Sequence, residues 1–324
     1  MEATRSLRRH GNVQPGAFSL LSNLPPGSVK HAEHGLRPPG GIYNVSMGRV
    51  LSAFEATLDQ LEALRSAPAD AHGGIAFKVE PLIAAQVELL ESMMAHIDDG
   101  YQVLKACHPP NPSITEPFAH KWLEKARHPS VKQFKNAVSG YRDAIAPMGN
   151  RIKHEHGQLR LVVFYGGEQR IAGYYLEAID REGVAGADAK IHPGDTAFSF
   201  NRDLRFHFVH LFEIGDALRA ALTSALQAMG IRSDGRLVVD ESARLIAVAE
   251  RVEALSTTVF PDEVAKPAPH VRVERDQGDV VLSVRYPSLA TFRQPGEMRI
   301  TTTIQGDGYT TSYRMPYFPK RPVG

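Results

Sequence analysis

The sequence predicts an α+β fold: an N-terminal antiparallel helical bundle followed by a strand-rich part with two further helices and β-hairpins. Three observations carry this reading. Up to about residue 157, apolar residues recur every three or four positions, the helical period. Beyond it, short β-branched and aromatic runs are separated by glycine-containing turns. Strand–helix–strand alternation does not repeat, which argues against a doubly wound nucleotide-binding fold.

At 324 residues the chain has room for one large domain or two ordinary ones. Its 43% hydrophobic and 23% charged residues match a globular core with a solvated surface. Residues 1–41 read as a flexible leader, because Leu24-Pro25-Pro26-Gly27 and Arg37-Pro38-Pro39-Gly40-Gly41 continue neither a helix nor a central strand. Residues 42–157 read as the helical bundle, and 158–324 as an α+β domain of unknown type.

The first helix is predicted over 43–67, where Val50, Leu51, Phe54, Leu58, Leu61 and Leu64 make one face. The second spans 77–106, with Leu82, Leu90, Met94, Ile97 and Leu104 in its stripe. Ser113 and Glu116 have capping-box spacing before a short helix over 117–127. A fourth helix starts near Ser130, meets Pro147 where a kink is expected, and stops at Gly157. Residues 159–165 and 170–179 look like paired strands around Gly166-Gly167. Asn201 caps a predicted helix over 202–229, and Asp240 another over 241–256. Two hairpins follow, 271–274 with 280–286 and 298–304 with 310–315.

The net charge of +1 marks neither a nucleic-acid nor a membrane protein as a whole. Locally it is uneven: four basic against nine acidic residues over 43–106, then eight against three over 120–156. The two segments either pair, or are solvated separately, or the second offers a basic face to an anion. Cys107 is the sole cysteine, which fits a reducing compartment and a structural role. No apolar run approaches the ~20 residues of a membrane span, so we expect a cytoplasmic protein without membrane contact. Phosphate-loop, dinucleotide and H-E-x-x-H motifs are missing, and no cofactor is expected. His207 and His210 stand on one helical face with Asp203 and Glu213, a ligand row on paper. They sit among Phe206, Phe208, Val209, Leu211 and Phe212, so we expect hydrogen-bonded core histidines and no metal.

The segment Asn150-Arg151-Ile152-Lys153-His154-Glu155-His156 ends the basic stretch. A guanidinium can clamp a phosphodiester through two parallel hydrogen bonds. A histidine can take the proton of a ribose 2′-hydroxyl, which is itself the nucleophile, so no metal is needed. The structural alternative is a solvated helix end whose basic residues meet the negative pole of the helix dipole. At Arg151 and His156 the sequence resembles the higher-eukaryote and prokaryote nucleotide-binding (HEPN) domains, bundles of four or five helices in which Arg precedes His by four to six intervening residues. The resemblance covers roughly 43–157. It implies a homodimer with both motifs lining one RNA cleft. Ile152 departs from the polar residue that usually follows the Arg in active members, and His154 competes with His156 for the role of base.

Two readings follow. In the first, the chain is a HEPN-like RNA-binding protein or metal-independent endoribonuclease of stress or defence type. Arg151 holds the phosphate, His156 or His154 is the base, and Lys153, Lys121, Lys125, Lys132 and Lys135 hold the RNA backbone. In the second, it is a non-enzymatic interaction module, a dimeric bundle whose C-terminal hairpins bind a protein partner through an exposed edge.

Overall fold

The computed structural model describes residues 5–10, 13–25, 27–68, 76–166, 169–231, 243–276, 279–295, 299–302, 309–310 and 312–318. The fold is α+β, with helices first and two antiparallel sheets. Asp240, Gly167, the Gln277-Gly278 turn, the Gln305–Gly308 turn, Pro319 and Pro322 lie outside the described residues.

The long helices are α2 (Pro39–Ser66), α3 (Glu80–Ala106) and α5 (Pro129–His154), with short α1 (Ala17–Ser22) and α4 (Ala119–Ala126) beside them. Pro39 and Pro129 occupy first-turn positions, where a missing N–H costs nothing. Pro147 lies inside α5, which continues through it. A Cβ on Gly100 would come within 2.7 Å of the Phe134 ring, so that glycine sets how closely α3 and α5 cross. The expected Ser113–Glu116 cap does not form. Phe118 holds the N-cap position of α4, and Glu116 pairs with Lys125 instead.

Strands β2 (Gln158–Gly166) and β3 (Gln169–Ile179) pair antiparallel as the sequence suggested. Short β4 (Ala185–Ala187) and β5 (Phe198–Ser199) both pair with β3. Helices α6 (Phe200–Ala228) and α7 (Ala243–Glu253) follow, then β6 (Ala268–Asp276) and β7 (Asp279–Ser288), which form the expected hairpin. The last hairpin is corrected. β8 (Arg299–Thr302) pairs with β2, and Tyr313 bridges to Ala185. The two runs thus serve different edges of one sheet. Ser199, not Asn201, caps α6, and the Asn201 amide donates to the Thr258 carbonyl.

The flexible leader is also corrected. β1 (Arg5–His10) pairs with β7 along six residues, and Val13, Ala17, Leu20 and Leu21 are buried in the main core. The prolines break the helical period without loosening the chain, because the apolar residues between them find α6. The boundary at 157 fares similarly. One continuous core runs through α2, α3, α5, β2 and α6. In α6, 19 of 29 residues are buried, the mark of a central helix. The bundle therefore takes its innermost helix from the second half of the chain. The acidic face of α2 pairs with α7, through Arg244–Glu55 and Arg251–Asp59, while Lys153–Glu91 joins the acidic and basic segments.

A charged network sits at the centre. Asp203 on α6 accepts hydrogen bonds from the Tyr174 hydroxyl (2.7 Å) and the Gln86 amide (3.1 Å), and the His207 Nε2 lies 3.0 Å from it. The Tyr141 hydroxyl meets the other nitrogen of His207 at 2.7 Å. The donors around the carboxylate outweigh its burial and hold its pKa below the usual value.

Two expectations follow from this packing. A fragment of residues 42–158 lacks α6 and leaves the inner faces of α2, α3 and α5 wet. It should bind a hydrophobic dye and melt without a cooperative transition, whereas the full chain melts cooperatively. A sharp calorimetric transition in the fragment would show that the bundle stands alone.

The second concerns pH. Burial pushes His96, His108, His192 and His210 down from 6.5 to about 4. Between those values the unfolded chain binds more protons than the folded one, so stability falls as pH is lowered. Each contributes up to about 1.4 kcal/mol per pH unit. Burial raises Glu263 to about 7, which works in the opposite sense between pH 4.5 and 7. Four groups outweigh one. The urea midpoint should drop clearly from pH 7 to pH 5, and a flat profile would contradict the burial of these rings.

Candidate functional site

The motif lies where α5 runs out against the β2–β3 sheet. Glu155 is the C-cap of the helix, and the Glu155 and Gly157 N–H groups both donate to the Arg151 carbonyl, at 3.0 and 2.9 Å. The left-handed position that reverses the chain belongs to His156, with φ of 56°, and not to Gly157. Histidine is one of the few non-glycine residues enriched there. Gly157 packs closely: a Cβ on it would lie 3.1 Å from the Arg151 backbone and from the Leu176 side chain.

Arg151 and His156 line one groove of about 430 Å³, together with Glu155, Arg160, Glu177 and Tyr313. His154 is exposed and does not line it. Between the two candidate bases, the geometry therefore pairs Arg151 with His156.

The groove is not a basic cleft. The Arg151 Nε forms an ion pair with Asp188 Oδ2 at 2.8 Å, without hydrogen-bond alignment, and its Nη1 donates to Glu155 Oε2 at 2.9 Å. The Asp188 side chain is only 3% exposed and that of Arg151 25%. Asp188 also organises the loop after β4. Its other oxygen accepts the Lys190 N–H, and its carbonyl accepts those of Ile191 and His192. The Leu176 N–H then donates to His192 Nε2 at 3.0 Å, which fixes the lone pair on that nitrogen and the proton on the other. Arg151 thus ties the end of α5 to a loop that is itself bonded to β3. The second guanidinium of the groove, Arg160, grips Glu177 through two hydrogen bonds of 2.9 and 2.8 Å. Two arginines face two glutamates, with Asp188 behind them.

The lysines do not gather at the motif. Lys121 and Lys125 lie on α4, Lys132 and Lys135 near the start of α5, and Arg151 near its end. At 1.5 Å rise per residue, Lys135 is about 24 Å along the helix from Arg151. Lys125 bonds Glu116 at 2.6 Å, Lys135 bonds Glu124 at 2.6 Å, and Lys153 faces Glu91 at 3.5 Å. Lys121 reaches over the Phe118 ring, and Lys132 is exposed.

The row on α6 divides into two separate arrangements. His207 is engaged by Asp203 and Tyr141 as above, whereas the His210 Nδ1 donates to the Phe206 carbonyl at 2.7 Å and its ring stacks on Tyr141. Glu213 stands 3.3 Å from the far side of His210. Among the described residues, no group of three or more His, Cys, Asp or Glu side chains is arranged to hold a metal ion. Cys107 is buried, and burial pushes its thiol up to about 12, so it stays protonated and unreactive. No described helix is long and apolar enough to cross a membrane.

Sequence reasoning missed Asp188, Arg160, Glu177 and Tyr313. Arg160 and Glu177 carried one faint signal, a charge of each sign inside runs that otherwise read as strand. Asp188 carried none, since it follows Ala185-Gly186-Ala187 in a loop with no pattern.

No protein-family model, no curated protein and no solved structure matches the chain.

Proposed function

We propose that the chain is a non-enzymatic interaction protein, and that Arg151 serves as a structural tie. The observation that carries this reading is the ion pair of Arg151 with the buried carboxylate of Asp188. To clamp a phosphodiester, Arg151 would have to release Asp188 and leave it buried without a cation, and the incoming phosphate would also meet Glu155 and Glu177. Supporting features lie on the strand-rich half. Ile179 at the groove rim is 57% exposed, Tyr309 90% and Leu289 94%. Among the described residues β8 pairs on one side only, with β2. An edge strand of this kind suits an added strand from a partner. Two copies joined along β8 would give an isologous dimer.

The ribonuclease reading keeps one specific observation in its favour, the common groove of Arg151 and His156. A single set of experiments separates the two. Purified chain incubated with single-stranded RNA, with and without EDTA, should leave the RNA intact. Arg151→Ala should lower stability by about 1–3 kcal/mol, the cost of leaving the buried Asp188 carboxylate without its cation. His156→Ala, at an exposed left-handed position that alanine favours less than histidine, should cost about 1 kcal/mol or less. Light scattering on the full chain should give twice the monomer mass. RNA cleavage that disappears in both variants while they stay folded would replace this reading with the ribonuclease.

A further inference from the structure

A second cavity, well away from the motif, opens where the end of α2, strand β3, the start of α6 and the end of α7 meet. It measures about 190 Å³. Its floor is apolar: Leu58 and Leu64 are buried and Phe200 is 1% exposed. Its walls carry three guanidiniums, Arg65, Arg170 and Arg251, and one carboxylate, Glu62.

The neighbours of these arginines hold them at the rim. The Arg170 Nη1 donates to the carbonyls of Leu64 (3.3 Å) and Ala67 (2.5 Å), which anchors it on the last turn of α2. Arg251 bonds Asp59 at 2.7 Å, outside the cavity, and stands 3.5 Å from Glu62. Arg65 is 3.7 Å from Glu62. The Glu62 side chain is 61% exposed, so it can swing into solvent when another anion takes its place. The far wall is fixed from behind by Arg205, whose guanidinium donates to the carbonyls of Glu253, Leu255 and Ser256. The result is a small apolar floor under an excess of positive charge.

We propose that this cavity binds a small apolar carboxylate, with a single ring or short chain on the floor and the carboxylate among the arginines. Size decides the apolar part, because a protein cavity of roughly 150 Å³ holds benzene. Charge and shape decide the head group, because guanidinium forks pair with carboxylates through parallel hydrogen bonds. The inference is independent of the role given to Arg151.

Phenylacetate is a suitable probe, titrated calorimetrically into the full chain at low salt. Saturable one-to-one binding is expected. Benzyl alcohol, which has the ring without the charge, should bind about tenfold more weakly or worse, the effect of losing one charge-assisted hydrogen bond. Arg65→Ala and Arg251→Ala should each weaken phenylacetate about tenfold and leave benzyl alcohol unchanged. Both lie at the surface, and circular dichroism checks that they fold. Glu62→Gln removes the competing carboxylate and should tighten binding. Ala254→Trp, from an exposed rim position, should block it. Absence of saturable binding at millimolar phenylacetate overturns the proposal. So does equal affinity for benzyl alcohol, or indifference to both arginine substitutions.

Discussion

The Asp203 carboxylate is the constraint around which the rest of the chain is arranged. Taking a carboxylate out of water costs several kcal/mol unless donors surround it. Here they come from two other elements, with a third holding the histidine beside it on α6. Tyr174 reaches in from β3 and Gln86 from α3, while Tyr141 on α5 orients His207 against it. None of these elements can slide or rotate without stranding the charge. The network ties α6 to α3, β3 and α5 in one register.

With α6 held there, several features of the surroundings follow. The loop after α7 must lie across the first turns of α6, and Arg205 takes up its carbonyls. Burial lowers the pKa of that guanidinium only to about 10, so it remains charged at neutral pH and keeps its hold. The N-terminal segment must cover the outer side of α6, which is why Val13, Ala17, Leu20 and Leu21 are buried. The hairpin of β6 and β7 backs onto α6 and α7, and β1 extends that sheet. The helical half and the strand half are therefore two sets of elements around one helix, not two bodies joined by a linker.

Much of the secondary structure was legible because it depends on local periods. The stripes of α2, α3 and α5 and the β-branched and aromatic runs of β2, β3, β6 and β7 each lie within a short window of sequence. What escaped depends on contacts between distant residues. The helical period of α6 was readable, but its central place was not, since a continuous apolar surface does not say which helices will cover it. The prolines before residue 41 read as loosening signals, although the residues between them are core. At the end of α5, glycine was expected in the left-handed position. His156 takes it, and Gly157 packs tightly one step later against the Arg151 backbone and Leu176.

The motif shows most plainly how chemistry depends on what lies across the fold. An Arg and a His five residues apart at the end of a basic helix are compatible with phosphate chemistry, and equally with a helix terminus that needs cations. The spacing is the same in both cases. The difference lies in Asp188, which is 37 positions beyond Arg151 in the chain and reaches it only because β2 and β3 turn back over the end of α5. A guanidinium that faces solvent is available for a ligand. One that neutralises a buried carboxylate is already in use, and its loss is felt first as instability. The arginines around the second cavity stand closer to the first condition, since their carboxylate partners there, Asp59 and Glu62, are themselves more than half exposed and can yield to a competing anion.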